Sequence, residues 1–190
     1  MTEPVRKYLT SAEVERLLVR FAPKCDKLLI QMGLTLGCRV SEITSLRLRN
    51  IKGRLIKVWD EKKDEYRQCV IDTSTEAMLE DYLETDYSVP SGMTREHQRL
   101  FYISNKTANR RVKEAFQEIG VPEDVPHRWH TLRHTYVRLT LDRMKDRGIQ
   151  FVCEQTGDSP ETILKVYGVP SLEDRLEAAE FHSITQEGSN

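Results

Sequence analysis

Apolar residues recur at helical spacing through the first fifty residues of the chain. An apolar face over residues 14–21 follows Thr10 and Glu13, which stand in the register of a capping box. The stretch CDKLLIQMGLTLG predicts a second, more buried helix that ends at Gly37. RVSEITSLRL then predicts a short third helix that opens just after Arg39.

The pattern changes to alternation in the next part of the chain. GRLIKVW and EYRQCVID alternate apolar and polar residues, and the charged DEKKD between them predicts a β-hairpin. Beyond it, STEAMLEDYLETD and NKTANRRVKEAFQEIG predict helices, the second of which ends at Gly120. Residues 87–99 are typical of a loop, and LFYIS predicts either a short strand or an extended link.

Helical spacing returns in the last third of the chain. A loop with two prolines, VPEDVPHRW, precedes HTLRHTYVRLTLDRMKDRG, which predicts a long helix. Two short helices over IQFVCEQTG and SPETILKVYG follow, and then an acidic amphipathic tail helix over SLEDRLEAAEFHSI. The sequence contains no internal repeat or domain linker. The predicted fold class is therefore mainly α with a small antiparallel β-sheet (α+β).

The second of the two short helices has unusually complete end signals. Ser159 is placed to cap it, Pro160 occupies its first position, and Gly168 ends it directly after Tyr167. The Tyr167 ring either fills the core or presents its hydroxyl to a partner. Local sequence leaves both interpretations open.

Composition restricts the class of protein. A chain of 190 residues and 22.2 kDa is long enough for one domain with a substantial core. We find no secretion signal and no apolar run of membrane-spanning length. Because the four cysteines stand far apart and form no CxxC pair, we predict free thiols in a reducing cytoplasm and neither a zinc site nor a disulfide framework: Cys25, Cys38, Cys69 and Cys153.

Net charge is near neutral, but its distribution is uneven. The formal charge is −1, whereas residues 39–57, 105–113 and 127–138 concentrate arginine and lysine with at most one acid each. These segments either converge on one anion-binding face or are the solvated sides of separate helices. Charge alone does not decide between the two.

Four stretches carry candidate chemistry. Arg39 opens a helix, where a guanidinium beside backbone N–H groups is suited to binding phosphate. Lys62 and Lys63 lie at the tip of the predicted hairpin, and His130 and Arg133 share a helix face. The fourth is the Tyr167 helix, whose phenol has a pKa near ~10 and needs cations or a base close by to act as a nucleophile.

In their order along the chain, these stretches resemble the tyrosine recombinases, the phage integrase family. The resemblance rests on Arg39 in GCRVSE, a lysine in a β-hairpin, HTLRH, and a tyrosine near the end of a short helix, and it covers roughly residues 8–170. It implies that Arg39 and Arg133 bind the scissile phosphate. Glu42 matches the acid that supports the first arginine, and His130 acts in proton transfer or contacts the phosphate.

The resemblance also implies a covalent mechanism. Tyr167 attacks the phosphate and forms a 3′-phosphotyrosine link, while Lys62 protonates the leaving 5′ oxygen, with Lys63 close enough to compete. No metal, nucleotide or other cofactor is implied, because the covalent link conserves the energy of the phosphodiester. The basic segments supply candidate DNA-binding residues: Arg47, Arg49, Lys106, Arg110, Arg111 and Arg128.

One position departs from the family pattern. Nine residues before Tyr167 the family usually has histidine, sometimes tryptophan, after glycine; here Asp158 follows Gly157. A carboxylate offers no N–H donor to phosphate. Asp158 either accepts a hydrogen bond from Arg133, His134 or a backbone amide, or caps the helix away from the phosphate, or marks an impaired site.

The resemblance further sets expectations for domains and partners. Residues 1–170 are expected to form a single catalytic domain and residues 171–190 a tail helix, which docks on a neighbouring protomer or folds back on its own domain. By the same resemblance, we expect no counterpart of the family's usual N-terminal core-binding domain within this sequence. The expected partner is double-stranded DNA in the cytoplasm, with self-association into a tetramer on DNA and no membrane.

Three alternatives to a recombinase remain at this point. A type IB topoisomerase-like enzyme shares the cleavage chemistry but does not exchange strands between two DNA partners. A DNA-binding regulator keeps the fold without the chemistry, and Asp158 is the feature that favours it. A helical protein that binds no DNA requires the four stretches to coincide by chance.

Overall fold

The structure is a computed structural model that describes residues 6–20, 22–90, 92–94, 97–144 and 147–167. The chain divides into two compact units, Met1–Gly157 and Asp158–Asn190, which are described separately. The first contains a helical body and a small sheet, with these elements: α1 (Ser11–Val19), α2 (Lys24–Leu36), α3 (Val40–Thr44), β1 (Ile51–Lys52), β2 (Leu55–Asp60), β3 (Glu65–Val70), α4 (Thr73–Thr85), α5 (Asn105–Glu118), α6 (Trp129–Met144) and α7 (Gly148–Thr156).

Helix α1 begins with the predicted capping box. The Thr10 hydroxyl accepts from the backbone N–H of Glu13 at 3.3 Å, and the Glu13 carboxylate accepts from the backbone N–H of Thr10 at 2.7 Å. Arg6 donates two further hydrogen bonds to this carboxylate, at 2.5 and 2.8 Å. The hydrogen bond from Arg6 is the largest cause that lowers the pKa of Glu13 to about 2. The start of α1 is thus fixed by a charged cap.

Helices α2 and α6 pack closely at the centre of the core. A Cβ added to Gly33 of α2 would lie 2.9 Å from Leu132 and 3.0 Å from Trp129, so glycine is what permits this approach. The Trp129 indole donates to the backbone carbonyl of Cys38 at 2.8 Å. Helix α2 ends at Gly37 in the left-handed conformation, with φ of 58°.

The predicted hairpin is present, and a short third strand extends it. The sheet order is β1–β2–β3, antiparallel throughout. Strand β1 was not predicted, because two residues between a 3₁₀ turn and Gly53 give no readable alternation. In β2 the burial alternates, so that Ile56, Val58 and Asp60 face inward.

One sequence prediction near the sheet needs revision, and one open alternative is decided. Helix α3 ends at Thr44, earlier than predicted, and the Thr44 hydroxyl donates to the backbone carbonyl of Val40 within the same turn. LFYIS forms an extended link without a strand; the isolated bridge in this region lies just before it, between Arg47 and Arg99. The backbone N–H of Leu100 donates to Leu46, so the loop after α4 is held against the segment after α3.

The second unit contributes helix α8 (Pro160–Tyr167). As predicted, Pro160 is its first residue, and the Ser159 hydroxyl accepts from the backbone N–H of Thr162 at 3.3 Å. The predicted stop at Gly168 and the tail helix lie outside the described residues. Within the described ranges, no helix combines the length and the apolar character needed to cross a membrane.

Candidate DNA-cleavage site

Arg39 and Glu42 are joined at the start of α3. Arg39 is the extended residue before the helix, and the Glu42 carboxylate accepts both its backbone N–H at 2.7 Å and its guanidinium at 3.0 Å. The Glu42 side chain is 2% exposed, whereas that of Arg39 is 29% exposed. The acid is therefore buried beneath an arginine that still reaches solvent. This contact is the one that the predicted supporting role requires.

A second arginine binds the other side of the same carboxylate. Arg67, in the middle of β3, donates to the two oxygens of Glu42 at 2.7 and 3.0 Å. Its Nε donates to the backbone carbonyl of Gln155 in α7 at 2.9 Å. Burial is the largest single influence on the pKa of Arg67 and lowers it, but the hydrogen bonds with Glu42 and the charges of Glu42, Cys38 and Cys69 together outweigh burial and raise this pKa above its ordinary value. Glu42 thus connects α3 with the sheet.

Asp60, the last residue of β2, completes this cluster. Its side chain is 2% exposed; Oδ1 lies 3.8 Å from Arg39 Nη1, and Oδ2 lies 3.7 Å from Arg67 Nη1. Oδ1 also accepts from the backbone N–H of Lys62 at 3.0 Å, and the backbone carbonyl of Asp60 accepts from the N–H of Lys63 at 3.2 Å. The hairpin loop that carries both candidate lysines is therefore anchored at Asp60.

Asp60 was not predicted from the sequence, although a signal was present. Alternation in LIKVWD places Asp60 on the same face as Ile56 and Val58, so the pattern puts a carboxylate at an inward position. A charged residue is almost never buried without a partner. The alternation and the charge together therefore indicate that Asp60 belongs to a buried polar cluster.

Arg133 is buried beside the segment that leads to Arg39. It lies on the inner face of α6 at 3% exposure. Its Nη1 donates to the backbone carbonyl of Gly37 at 2.5 Å, and its Nη2 to that of Thr156 at 3.0 Å. Because Gly37 stands two residues before Arg39, the fold brings both predicted phosphate-binding arginines to the same segment.

The two histidines of HTLRH meet one helical turn apart. His130 is exposed and His134 half-buried, and their ring centroids are 4.4 Å apart in an edge-to-face arrangement. Burial lowers the pKa of His134 to about 4, with further contributions from the positive charges of His130, Lys7, Arg128 and Arg133. His134 is therefore neutral at pH 7.

This pKa predicts a stability change in mild acid. The unfolded histidine titrates near 6.5 and the folded one near 4, so the unfolded chain binds more protons between these values. Stability is then highest above pH 6.5 and falls as the pH is lowered through this window. We expect the free energy of unfolding of His134→Gln to fall by about 1–2 kcal/mol less over this pH window, allowing for solvent screening of a half-buried ring. Urea unfolding at a series of pH values measures this free energy, and the same dependence on pH in both proteins would contradict the prediction.

Two cysteines lie beneath the arginine cluster. Cys38 and Cys69 are buried, and the thiol of Cys69 donates to the backbone carbonyl of Gln155 at 3.2 Å. Arg67 Nη2 donates to the sulfur of Cys38 at 3.5 Å. The hydrogen bond with Cys69, together with burial, raises the pKa of the Cys38 thiol. Cys25 and Cys153, in contrast, are partly exposed.

The predicted DNA-binding residues divide between two clefts and two other positions. Arg47 and Arg49 line a cleft of about 250 Å³ that also includes Lys57 and an exposed aromatic pair, Trp59 and Tyr66, whose ring centroids are 4.9 Å apart. Sequence reasoning missed the aromatic pair, although both residues lie on the outward face of the hairpin.

The second cleft lies along the first turns of α5. Lys106 and Arg110 line it, and its volume is about 400 Å³. Arg111 is not among its lining residues and instead forms an ion pair with Asp26 of α2. Arg128 is exposed directly before α6. The cationic residues of these clefts remain predicted DNA contacts.

Asp158 and Tyr167 belong to the second unit. Tyr167 is the last residue of α8, and Asp158 stands between Gly157 and the capping residue Ser159. Both side chains are partly exposed. The role of Tyr167 as the nucleophile remains a prediction, and so does the role of Asp158 at the position where the family usually has histidine.

Sequence comparison identifies the family of this chain. Residues 7–152 match the sequence model of the Phage integrase family. The chain belongs to the phage integrase family. The tyrosine recombinase XerA of Saccharolobus solfataricus is similar to this integrase-family chain, with 27% identity over 139 residues. That alignment covers 72% of the chain but 44% of XerA, so the chain spans less than half of this relative.

Solved structures share the fold of this integrase-family chain. A crystal structure of XerA recombinase matches 95% of the chain with a TM-score of 0.75 and 20% identity, over 66% of its own length. XerH bound to palindromic difH substrate, in a post-cleavage complex, matches 93% with a TM-score of 0.72 and 19% identity, over 52% of its length. The Tn1549 transposon integrase in complex with circular intermediate DNA matches 94% of the chain with a TM-score of 0.70 and 16% identity, over 67% of its own length. The α+β class predicted from sequence is confirmed.

Proposed function

We propose that this chain carries the catalytic machinery of a site-specific tyrosine recombinase, which cleaves and rejoins DNA through a 3′-phosphotyrosine intermediate. The observation that carries the proposal is the placement of two arginines at one segment. Arg133 donates to Gly37, and Arg39, two residues further on, is held by the buried Glu42. Family membership and the order of the other candidate residues agree with it.

The first step is binding of the scissile phosphodiester. Arg39 reaches solvent while Glu42 fixes its orientation from beneath, so an anion can approach the guanidinium from the solvent side. Arg133 approaches from α6. Two fixed guanidinium groups neutralise the charge that grows on the phosphorus oxygens in a pentacovalent transition state. Because both are held before DNA arrives, little reorganisation is needed during the reaction.

The second step is strand cleavage. The Tyr167 hydroxyl oxygen bonds to phosphorus as the bond from phosphorus to the 5′ oxygen breaks. His130 acts in transfer of the phenolic proton or contacts the phosphate, and Lys62 or Lys63 donates a proton to the leaving oxygen. Attack of a 5′ hydroxyl on the phosphotyrosine reverses these bond changes and reseals a strand. The proposed cycle consumes no cofactor.

We further propose double-stranded DNA as the partner and a tetramer as the active assembly. Solved relatives support this: XerH is bound to difH substrate, and lambda integrase forms a dimer on a COC′ core site and a tetramer on a Holliday junction. The clefts lined by Arg47, Arg49, Lys106 and Arg110 supply cationic surface for the DNA backbone. Action on DNA in the cytoplasm follows from this assignment.

A trapping experiment tests the proposed reaction. In a duplex with a nick just to the 3′ side of the cleavage position, attack releases the short fragment that carries the new 5′ hydroxyl, so resealing is prevented and the covalent product accumulates. We expect the protein in EDTA to form a detergent-resistant adduct on such a duplex, and peptide mapping to find the nucleotide on Tyr167. The DNA includes candidate target duplexes and supercoiled plasmid. DNA binding without any adduct would contradict the proposed chemistry.

A regulator that binds DNA without cleaving it is the second candidate. Asp158 favours it, because a carboxylate repels phosphate where the family usually supplies an N–H donor. The trapping experiment separates the two. A regulator binds duplex DNA and forms no adduct, whereas a recombinase forms the adduct even with aspartate at this position.

The lysine that protonates the leaving group can be identified with a modified substrate. Sulfur in place of the bridging 5′ oxygen leaves as a thiolate, whose conjugate acid has a pKa near ~8.5, so it needs no protonation. We expect Lys62→Ala to lose roughly 100-fold or more in cleavage rate on ordinary DNA and to recover most of it on the sulfur substrate. Lys63→Ala is the matched control. Recovery by Lys63→Ala instead would assign the role to Lys63.

A further inference from the structure

We propose that Asp60 is a positioning residue that holds the hairpin loop of the general-acid lysine in place for proton delivery. This inference rests on the proposed strand-cleavage function and extends it. The loop comprises residues 61–64, and Asp60 precedes it at the end of β2. Neither oxygen of this carboxylate is predicted to touch DNA; it acts through the loop.

The burial of Asp60 requires an explanation. A carboxylate removed from water is costly unless charges and hydrogen bonds compensate it. Arg39 and Arg67 lie 3.8 and 3.7 Å from its two oxygens, beyond normal hydrogen-bond distance but close enough for ion pairing. The cluster contains two guanidinium groups, Arg39 and Arg67, and two carboxylates, Glu42 and Asp60, so it is neutral overall.

The hydrogen bonds of Asp60 point to the loop rather than to the arginines. Its Oδ1 accepts from the backbone N–H of Lys62 at 3.0 Å, and its backbone carbonyl accepts from that of Lys63 at 3.2 Å. Glu42, in contrast, accepts hydrogen bonds from both arginines, at 2.7 to 3.0 Å. The two acids thus have different roles: Glu42 orients guanidinium groups, and Asp60 orients the loop.

The surroundings of Asp60 fix the position of its carboxylate. Gly157, which ends α7 with φ of 75°, lies so close that an added Cβ would stand 2.6 Å from Asp60 Oδ2. The left-handed backbone favours glycine, and the lack of a side chain leaves room for the carboxylate. With one oxygen confined by Gly157 and Arg67, the other is directed at the first turn of the loop. The loop itself contains Asp64 at φ of 55°, a conformation that benefits from such an anchor.

The sulfur substrate tests this role directly. We expect Asp60→Ala to reduce the cleavage rate at saturating DNA by roughly 30-fold on ordinary DNA. On the sulfur substrate, its rate should lie within about fivefold of that of the unmodified protein. Asp60→Asn keeps an oxygen that accepts from the Lys62 N–H, so it should stay within about fivefold on both substrates. Glu61→Ala, an exposed acid of the same loop, is the matched control and should behave as the unmodified protein.

The possible outcomes separate this inference from the proposed function. If the unmodified protein forms no adduct, the proposed function fails. If it does and Asp60→Ala cleaves equally well, or loses the same factor on both substrates, the positioning role is overturned. Asp60→Val, whose β-branched side chain is suited to a strand, replaces Asp60→Ala should that variant fail to fold, as judged by thermal unfolding. A loss for Asp60→Asn that sulfur does not restore would also overturn the assignment, because it would place the effect on Arg39.

Discussion

Tyr167→Phe is expected to abolish the covalent protein–DNA adduct and to leave DNA affinity within about twofold. The change removes one oxygen atom, which in the proposed mechanism is the atom that bonds to phosphorus. Its aromatic ring and the end of α8 remain as they are, so the stability of the protein should change little. Denaturing gel electrophoresis of the trapped complex measures the adduct, and fluorescence anisotropy measures the affinity.

Tyr102→Phe is the matched control for this substitution. Tyr102 is 39% exposed on the extended link before α5, and its hydroxyl accepts from the backbone N–H of Arg99 at 3.2 Å. The same loss of one oxygen at this position should leave adduct formation unchanged. An adduct that persists in Tyr167→Phe would assign the nucleophile to another residue, and peptide mapping of that adduct would locate it.

Arg133→Lys should impair both catalysis and stability. The arginine fork reaches the carbonyls of Gly37 and Thr156 together, at 2.5 and 3.0 Å, and a single ammonium group cannot reproduce two such directed donors. We expect the cleavage rate to fall at least ~100-fold. Leaving one buried carbonyl without its donor should reduce the free energy of unfolding by about 1–3 kcal/mol.

Stability and catalysis are measured separately in this variant. Urea unfolding gives the first, and the adduct rate at saturating DNA, at a temperature where both proteins are folded, gives the second. Arg138→Lys is the matched control on the same helix, because Arg138 is partly exposed and pairs with Asp142 at 3.1 Å. A folded Arg133→Lys that cleaves at the rate of the unmodified protein would remove Arg133 from the site.

Local sequence signals predicted the helices and the hairpin well. The capping box at Thr10, the stop at Gly37 and the start of α8 at Pro160 each depend on residues within one turn of the element they define. The order of the candidate residues was enough to identify the family without any distance. Periodicity and end signals are therefore enough to predict most elements of the α+β fold.

The remainder depends on contacts between distant segments. Arg67 binds Glu42 in α3 and the Gln155 carbonyl in α7, partners separated from it by 25 and 88 residues. No local pattern encodes such a pairing. Helix α3 also ends early, and the Thr44 hydroxyl contacts Asn105 at the start of α5 at 2.5 Å. Asp60 is intermediate: the alternation in β2 contained the signal for an inward position, but the partners of Asp60 could be named only from the fold.

The carbonyls that hold Arg133 have a further consequence. They end α2 and α7, where the aligned peptide dipoles of a helix leave a partial charge of about −0.5. Two such ends together offset roughly one unit of positive charge. A peptide carbonyl belongs to the main chain, so no side-chain substitution removes it. Substitution of Glu42 would therefore take the support from Arg39 while Arg133 kept its own, so the supports of the two arginines should differ in their tolerance of mutation.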